Sequence, residues 1–518
     1  MIAYFFRHVQ VWTALILWVA LQGVGCSGAA TRKPGEPVQL TILHTNDIHG
    51  VLEAEPASWL PDKTPVGGFK ALDGWVRKVK AEAPNTLLLD GGDLMTGGPA
   101  ASLTFKGVFG GGMFELLNRM GYDAWTPGNH DLDKGIAALV PALDLLQMPV
   151  VNANLLNARG RPLAEQFKTS QIIEKAGLRI GIVGLMTDSL GRVLSNDQMV
   201  GITVESANQA AKREVAHLDP LTDVIIFLTH QGVEADQAMA RAAPGIDVIV
   251  GAHSHTRLQS PLVENGTLIV QAGSHLKNLG RLDLVISGDR IVTHYGRLIL
   301  LSTAQEVNAS PEVTLMVDEL HALVEKSFGE VLGELVTPWQ TAGGEESNIG
   351  NWLTDQLRVS AGVDFAMLNS GGIRKSLPAG PVTRGDLFAV IPFDNTLCTF
   401  SVTGDELLRM IHHNAVAASR GSYGILQVSG LSYRWSQTPE RVVVEEVLVG
   451  GKALDLTRTY TGATNDYILF SQAEKYLGLV PKIRDRQELP IQMIVADGFR
   501  AAGRVDARVE GRIVEVKQ

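Results

Sequence analysis

The sequence predicts an α/β fold, and three observations carry the prediction. Continuous Val/Ile/Leu runs recur through the first half of the chain, stretches with helical apolar spacing alternate with them, and several runs stop at metal-ligating residue types. Runs of that kind read as strands buried on both faces, which parallel sheets covered by helices require.

The elements follow in order. "LTILHTNDIHG" ends at Asp47 and His49, and a helix is expected over Phe69–Ala81. "TLLLDGGD" ends at Asp93, and "AWTPGNHDLD" supplies Asn129, His130 and Asp133. After a helix over Ala207–His217, "VIIFLTHQG" delivers His230 and "VIVGAHSHT" delivers His253 and His255. Side chains just past the carboxyl ends of such strands meet at one edge of the sheet, where open α/β folds place their sites. A single Asp or His there is usually a cap or turn residue, but recurrence after five strands is not explained that way. Gly91, Gly92, Gly128 and Gly251 permit the tight backbone that convergence needs. Carboxylate, imidazole and carboxamide donors suit divalent cations, and a shared carboxylate can bridge two of them. The residues therefore read as a two-metal hydrolase, with manganese, zinc, cobalt or iron all compatible.

"NDIHG", "DGGD", "GNHDLD", "THQG" and "GAHSH", in that order, resemble the 5′-nucleotidase branch of the calcineurin-like metallophosphoesterases. "ESNIGNWLTD", "NSGGIR", "VIPFDN" and "LQVSGL" extend the resemblance through the C-terminal half. It implies a four-layer α/β/β/α sandwich followed by a smaller α/β substrate-binding domain. It also implies that Asp47, His49 and His255 hold one metal, that Asn129, His230 and His253 hold the other, and that Asp93 bridges them. His130 would stabilise the transition state or protonate the leaving oxygen, oriented by Asp133. A water deprotonated between the two cations would be the nucleophile.

Composition bounds the rest. A chain of 518 residues with 45% hydrophobic content suggests several domains with ample core. The net charge of −10 and the lack of a basic stretch argue against a nucleic-acid partner. Two cysteines, Cys26 and Cys398, supply no disulfide framework. Residues 1–26 read as a lipoprotein-type signal peptide, with Arg7 before an apolar stretch and "GVGC" resembling a lipidation box at Cys26. Leu21 lies two residues upstream of its usual place, and ordinary cleavage nearby is the alternative. Either way the chain is expected to be exported to the periplasm or cell envelope, with a membrane tether through Cys26 if it is lipidated.

Residues 27–37 form a polar tether, 38–302 the dimetal domain, 303–334 a helical connector and 335–518 the substrate domain. In the connector, Ser310 is placed to cap a helix that has Pro311 at its first position. Helices are also expected over Ser347–Ser360 and Gly404–Ala418. In the substrate domain the resemblance turns Arg374 and Asn369 of "NSGGIR" toward the substrate, with Asn395 of "PFDN" as a further hydrogen-bonding candidate. Family members stack a nucleobase between two aromatic rings. Here "YGILQV" has Ile425 in place of the first ring, leaving Tyr423 nearby, and "NDYILFSQAEKY" keeps Tyr467 but loses the family's Gly-rich segment. The expected activity is release of phosphate from 5′-nucleotides. The alternatives are a 2′,3′-cyclic nucleotide or nucleotide-sugar phosphodiesterase, and a thiosulfohydrolase acting on a sulfur-carrier protein. Oligomeric state is not legible.

Overall fold

Two sheets, of seven and six strands, lie face to face in the N-terminal part of the chain. The structure is a computed structural model and describes residues 36–57, 59–305, 307–420 and 424–517. The leader with Cys26, most of the tether and Tyr423 lie outside the described residues.

In the first sheet, Val38–Thr45, Thr86–Asp90, Ala124–Trp125 and Val150–Val151 run parallel, and Asn278–Ser287 and Arg290–Leu300 continue it antiparallel. In the second, Leu178–Met186, Val224–His230, Val248–Gly251 and Thr267–Val270 run parallel. Side-chain alternation along these strands builds the layers. Ile42, Leu87 and Leu89 of the first sheet pack against Ile180, Ile226 and Val250 of the second. Leu43 and Leu88 point the other way, onto Phe69, Leu72 and Phe114. Ile225, Phe227 and Ile249 face outward onto Ala210, Ala211 and Met239. The result is the expected helix–sheet–sheet–helix order.

Helices cover Phe69–Glu82 and Ala207–Leu218, one residue longer than their apolar periodicity indicated. The connector helix is Pro311–Phe328, and the Ser310 side chain accepts from the Val313 N–H at 3.2 Å. Its apolar stripe of Val313, Met316, Val317 and Leu320 is buried in the same cluster as Phe69 and Phe114. The connector is thus docked on the outer helix layer of the first sheet.

The C-terminal part centres on a five-stranded mixed sheet. Its strands run in the order Leu426–Ser429, Phe365–Asn369, Thr459–Asn465, Thr396–Thr403 and Lys482–Pro490. Ala366 and Leu368 face Ile349, Leu353 and Leu357 of the helix Asn348–Ala361. Phe365 and Met367 face Leu407, Met410 and Ile411 of the helix Gly404–Ser419. Ser347 caps the first of these helices, and Thr403 with Glu406 forms a capping box on the second. No described helix is long and apolar enough to cross a membrane.

Candidate metal centre

Parallel register lines up the carboxyl ends of the strands, pairing Thr45 with Asp90 and Asp90 with Trp125 in the first sheet. In the second sheet it pairs Met186 with His230 and Thr229 with Gly251. The loops beyond those ends are laced together by their own backbone. Asp47 N–H donates to Gly92 O at 2.8 Å and His49 N–H to Asp93 O at 2.9 Å. Gly92 and Gly128 allow that approach, since a Cβ on Gly92 would lie 2.5 Å from Gly128 N and one on Gly128 2.2 Å from Asp93 Oδ1. Asp47, His49, Asp93, His253 and His255 all have φ between 52° and 75°, a left-handed backbone that ordinary residues avoid. Strain of this kind persists only where the surroundings over-determine it, and it clusters at functional sites.

The side chains converge accordingly. Asp47, His49 and His255 form one potential ligand group, and Asp47, Asp93 and His230 a second. His255 Nε2 lies 3.4 Å from Asp47 Oδ1 and 3.0 Å from His49 Nε2. His230 Nε2 lies 3.1 Å from Asp93 Oδ2 and 3.9 Å from Asp47 Oδ1. His49 Nε2 lies 4.0 Å from Asp47 and 3.8 Å from Asp93, so both carboxylates sit between the two imidazoles. Asp93 was expected to bridge, and Asp47 is the residue that falls in both groups. Asn129 Oδ1 and His253 Nδ1 approach to 2.8 Å, and the His253 N–H donates to Asp47.

The donor chemistry fits cations. His49 Nδ1 lies 2.9 Å from Thr96 O and His230 Nδ1 2.8 Å from Gly91 O, so each Nδ1 is the donor and each Nε2 presents a lone pair. The lone pair of His49 then points at His255 Nε2, and that of His230 at a carboxylate. Neither contact is favourable without a positive charge between. His230 Nε2 is sealed from solvent and makes no hydrogen bond. Burial lowers the basicity of His49 well below its ordinary value and that of His253 to about 4. His230 is pushed up to about 10 because Asp93 and Asp47 outweigh its burial. The pocket demands positive charge, as proton or as metal.

His130 stands beside this ring. Its Nδ1 lies 2.8 Å from Asp133 Oδ2, its backbone N–H donates to Asp93 Oδ1 at 2.7 Å, and its ring is 5.3 Å from His49. Burial alone would lower its pKa, but Asp133 and then Asp93 outweigh that and raise it. Arg374 is close enough to oppose the rise. Phe393 lies 5.7 Å from the His130 ring and 6.0 Å from the Arg374 guanidinium. The C-terminal part thus places an arginine and a ring at the rim of the centre.

The other candidates are less engaged. Asn369, at the end of its strand, accepts from Asn465 at 3.3 Å. The carbonyl of Asn395 accepts the Ile491 N–H, which is a backbone role. Tyr467 packs edge-on to Tyr476 at 6.2 Å, and its phenol is pushed up by burial first, then by Tyr476, with Asp133 adding to the rise. Ile425 is buried, with its carbonyl accepting from Ser370. Sequence reasoning missed Asp131 and Phe393. Asp131 accepts the N–H groups of Asp93 at 2.9 Å, Met95 at 2.9 Å and Gly128 at 2.7 Å, tying two ligand loops together. Its place in "GNHDLD" was a signal that could have been used. Asp90 caps its own loop through Gly92 N–H and accepts from Thr45 at 2.6 Å.

A calcineurin-like sandwich carrying this donor ring defines a metal-dependent phosphoester hydrolase. The calcineurin-like phosphoesterase family model matches residues 40–257, and the 5′-nucleotidase C-terminal domain model matches residues 331–479. A 5′-nucleotidase of Mus musculus is 30% identical over 456 residues, 79% of this chain and 78% of its own length. One from Vibrio cholerae is 29% identical over 503 residues, 85% of this chain and 86% of its own. The crystal structure of a 5′-nucleotidase precursor from Thermus thermophilus aligns with a TM-score of 0.81 at 29% identity, over 92% of this chain and 99% of that one. The chain belongs to the 5′-nucleotidase family.

Proposed function

We propose that this protein is an exported 5′-nucleotidase in which residues 38–302 carry the chemistry and residues 335–518 select the substrate. The observation that carries the reading is the buried ring of lone pairs at one sheet edge, with the His130–Asp133 pair and Arg374 on its rim. Asp47, His49 and His255 would hold one divalent ion, and Asn129, His230 and His253 a second, with Asp93 and Asp47 between them. Two such ions would acidify a water and neutralise charge on the phosphoryl group. Their identity among manganese, zinc, cobalt and iron is left to experiment.

The chain's own residues supply the remaining steps. Arg374 takes the non-bridging phosphoryl oxygens, since a planar guanidinium matches that geometry. Asp133 accepts from His130 Nδ1–H and stabilises the imidazolium, whose Nε2–H is then the transferable proton. As water attacks phosphorus and the bond to the ribose 5′-oxygen breaks, that proton passes from His130 Nε2 to the leaving oxygen. Tyr467 and Phe393 offer apolar faces to the nucleoside, with Asn369 and Asn395 nearby. Export rests on the 1–26 leader, with Cys26 as the lipidated residue. A Cys26→Ser variant is expected to leave the membrane fraction, and full retention would remove the anchor.

The test is phosphate release with manganese from 5′-AMP, UDP-glucose, a 2′,3′-cyclic nucleotide and bis-p-nitrophenyl phosphate. Chelator-sensitive turnover of 5′-AMP is the expected result. Turnover of bis-p-nitrophenyl phosphate alone would keep the metal chemistry and discard the nucleotide pocket.

A further inference from the structure

A cavity of about 470 Å³ lies between the N-terminal and C-terminal parts, away from the ligand ring. Its size falls within the ~300–1,000 Å³ typical of small-molecule sites. Thr96 and Lys134 line one side, and Phe328, Arg384, Phe388 and Arg500 line the other. None of the candidate metal ligands borders it, nor do His130 or Arg374. The site and the cavity nevertheless share two backbone segments. Thr96 takes the His49 Nδ1 contact on its carbonyl at 2.9 Å and donates its hydroxyl to His130 O at 3.2 Å. Pro392 and Asp394, on the cavity wall, flank the Phe393 that packs on His130.

The lining has a definite chemistry. Phe328 and Phe388 meet edge to face at 5.2 Å and form an aromatic wall. The Arg384 guanidinium lies 5.8 Å over the Phe328 ring. Lys134 is spent on Asp394, and Arg500 on Glu330 and Asp497. Arg384 makes no ion pair among the described residues, and its side chain stands exposed at the mouth. The lining therefore carries one cation more than its carboxylates can neutralise, set over an aromatic surface. An aromatic ring can pack against the wall that Phe328 and Phe388 form, with an anionic substituent on that ring directed to Arg384.

We infer that this cavity is a second ligand site, separate from the metal centre, that takes small aromatic anions. A ligand there touches both halves of the chain and the two segments that support His49, His130 and Phe393. Its occupancy is therefore expected to lower kcat while leaving KM for the phosphoester unchanged.

The probe is 8-anilinonaphthalene-1-sulfonate, titrated by fluorescence into the metal-loaded protein. Saturable binding is expected to weaken about tenfold or more in Arg384→Gln, as loss of a charge-assisted contact implies. Phe388→Leu should weaken it too, while Arg374→Ala should leave it unchanged. Melting temperatures of all three, compared with the parent, establish that the binding differences are not unfolding. Displacement of the dye by saturating 5′-AMP, or unchanged affinity in both Arg384→Gln and Phe388→Leu, would overturn the inference. Dye binding that raises KM in proportion to its concentration would overturn it equally, because the probe would then be in the active site.

Discussion

The two halves of the site are held in different ways. On the metal side, each ligand loop is pinned by buried backbone hydrogen bonds, from Asp47 to Gly92, His49 to Asp93, His275 to Asp47 and His253 to the Asp47 carboxylate. On the substrate side, the nearest bond of Arg374's guanidinium is a 3.5 Å contact to Gly371 O, and Phe393 is only half-buried. The difference separates two demands. Charge stabilisation requires donors fixed to within a fraction of an ångström before substrate arrives. Recognition tolerates looser side chains, at the cost of ordering them on binding.

The largest effect tests the rigid half. Chelation should abolish turnover, a loss on the order of 10³-fold or more given the several kcal/mol that metal charge supplies. It should also lower the melting temperature, because ions that bind only the folded ring stabilise it by mass action. Activity that survives complete demetallation, checked by elemental analysis, would break the comparison at its root.

His130→Ala comes next, with kcat expected to fall ~10²–10⁴-fold, the range for loss of a general acid. Its pH dependence has a definite sign. Asp133 and Asp93 hold the His130 pKa above its ordinary value, so the protonated acid is lost only as pH rises through that raised value. Asp133→Asn should therefore move the alkaline limb of kcat to lower pH. The stability that the pair contributes should be complete below the unfolded histidine value of about 6.5 and lost through the raised one. An unshifted alkaline limb in Asp133→Asn would remove His130 as the titrating acid.

Asp131 measures how far the rigidity extends. It is not among the candidate metal ligands, yet it receives three N–H groups from the Asp93 and Asn129 loops. Burial pushes its carboxyl up to about 7, against the pull of the donors at Gly128 and Met95. Asp131→Asn exchanges an acceptor oxygen for an amide donor facing those N–H groups. Metal affinity is expected to fall ~10–100-fold, as for partners that orient ligands. Unchanged affinity by competitive chelation would show that the loops hold without it.

Much of this was legible in the chain, for a physical reason. Strands buried on both faces leave continuous apolar runs, and whatever follows them must lie at the sheet edge, so Asp47, Asp93, His230 and His253 could be placed together. Helix ends were legible where Ser310, Ser347 and Thr403 offered side chains to free N–H groups. Asp131 could have been suspected from its place in "GNHDLD", but its work is done on backbone amides, so no ligand spacing singled it out. Phe393 was overlooked because an apolar residue between Pro392 and Asp394 reads as a turn. The shared position of Asp47 was missed because it depends on left-handed backbone at Asp47 and His49, which no spacing encodes.

The smallest effect tests the loose half. Phe393→Leu keeps an apolar side chain but removes the ring beside His130 and Arg374. Stacking on an aromatic ring is worth ~1–3 kcal/mol per base where it has been measured on nucleic acids. A half-buried ring that also leans on Arg374 should sit at the bottom of that range, which means a several-fold rise in KM for 5′-AMP. Bis-p-nitrophenyl phosphate, with no nucleoside to place, should show less change, and kcat should hold for both because the His130–Asp133 bond does not involve Phe393. If kcat falls instead while KM stands, Phe393 is positioning His130. The looser half would then belong to the chemistry as much as the metal ring does.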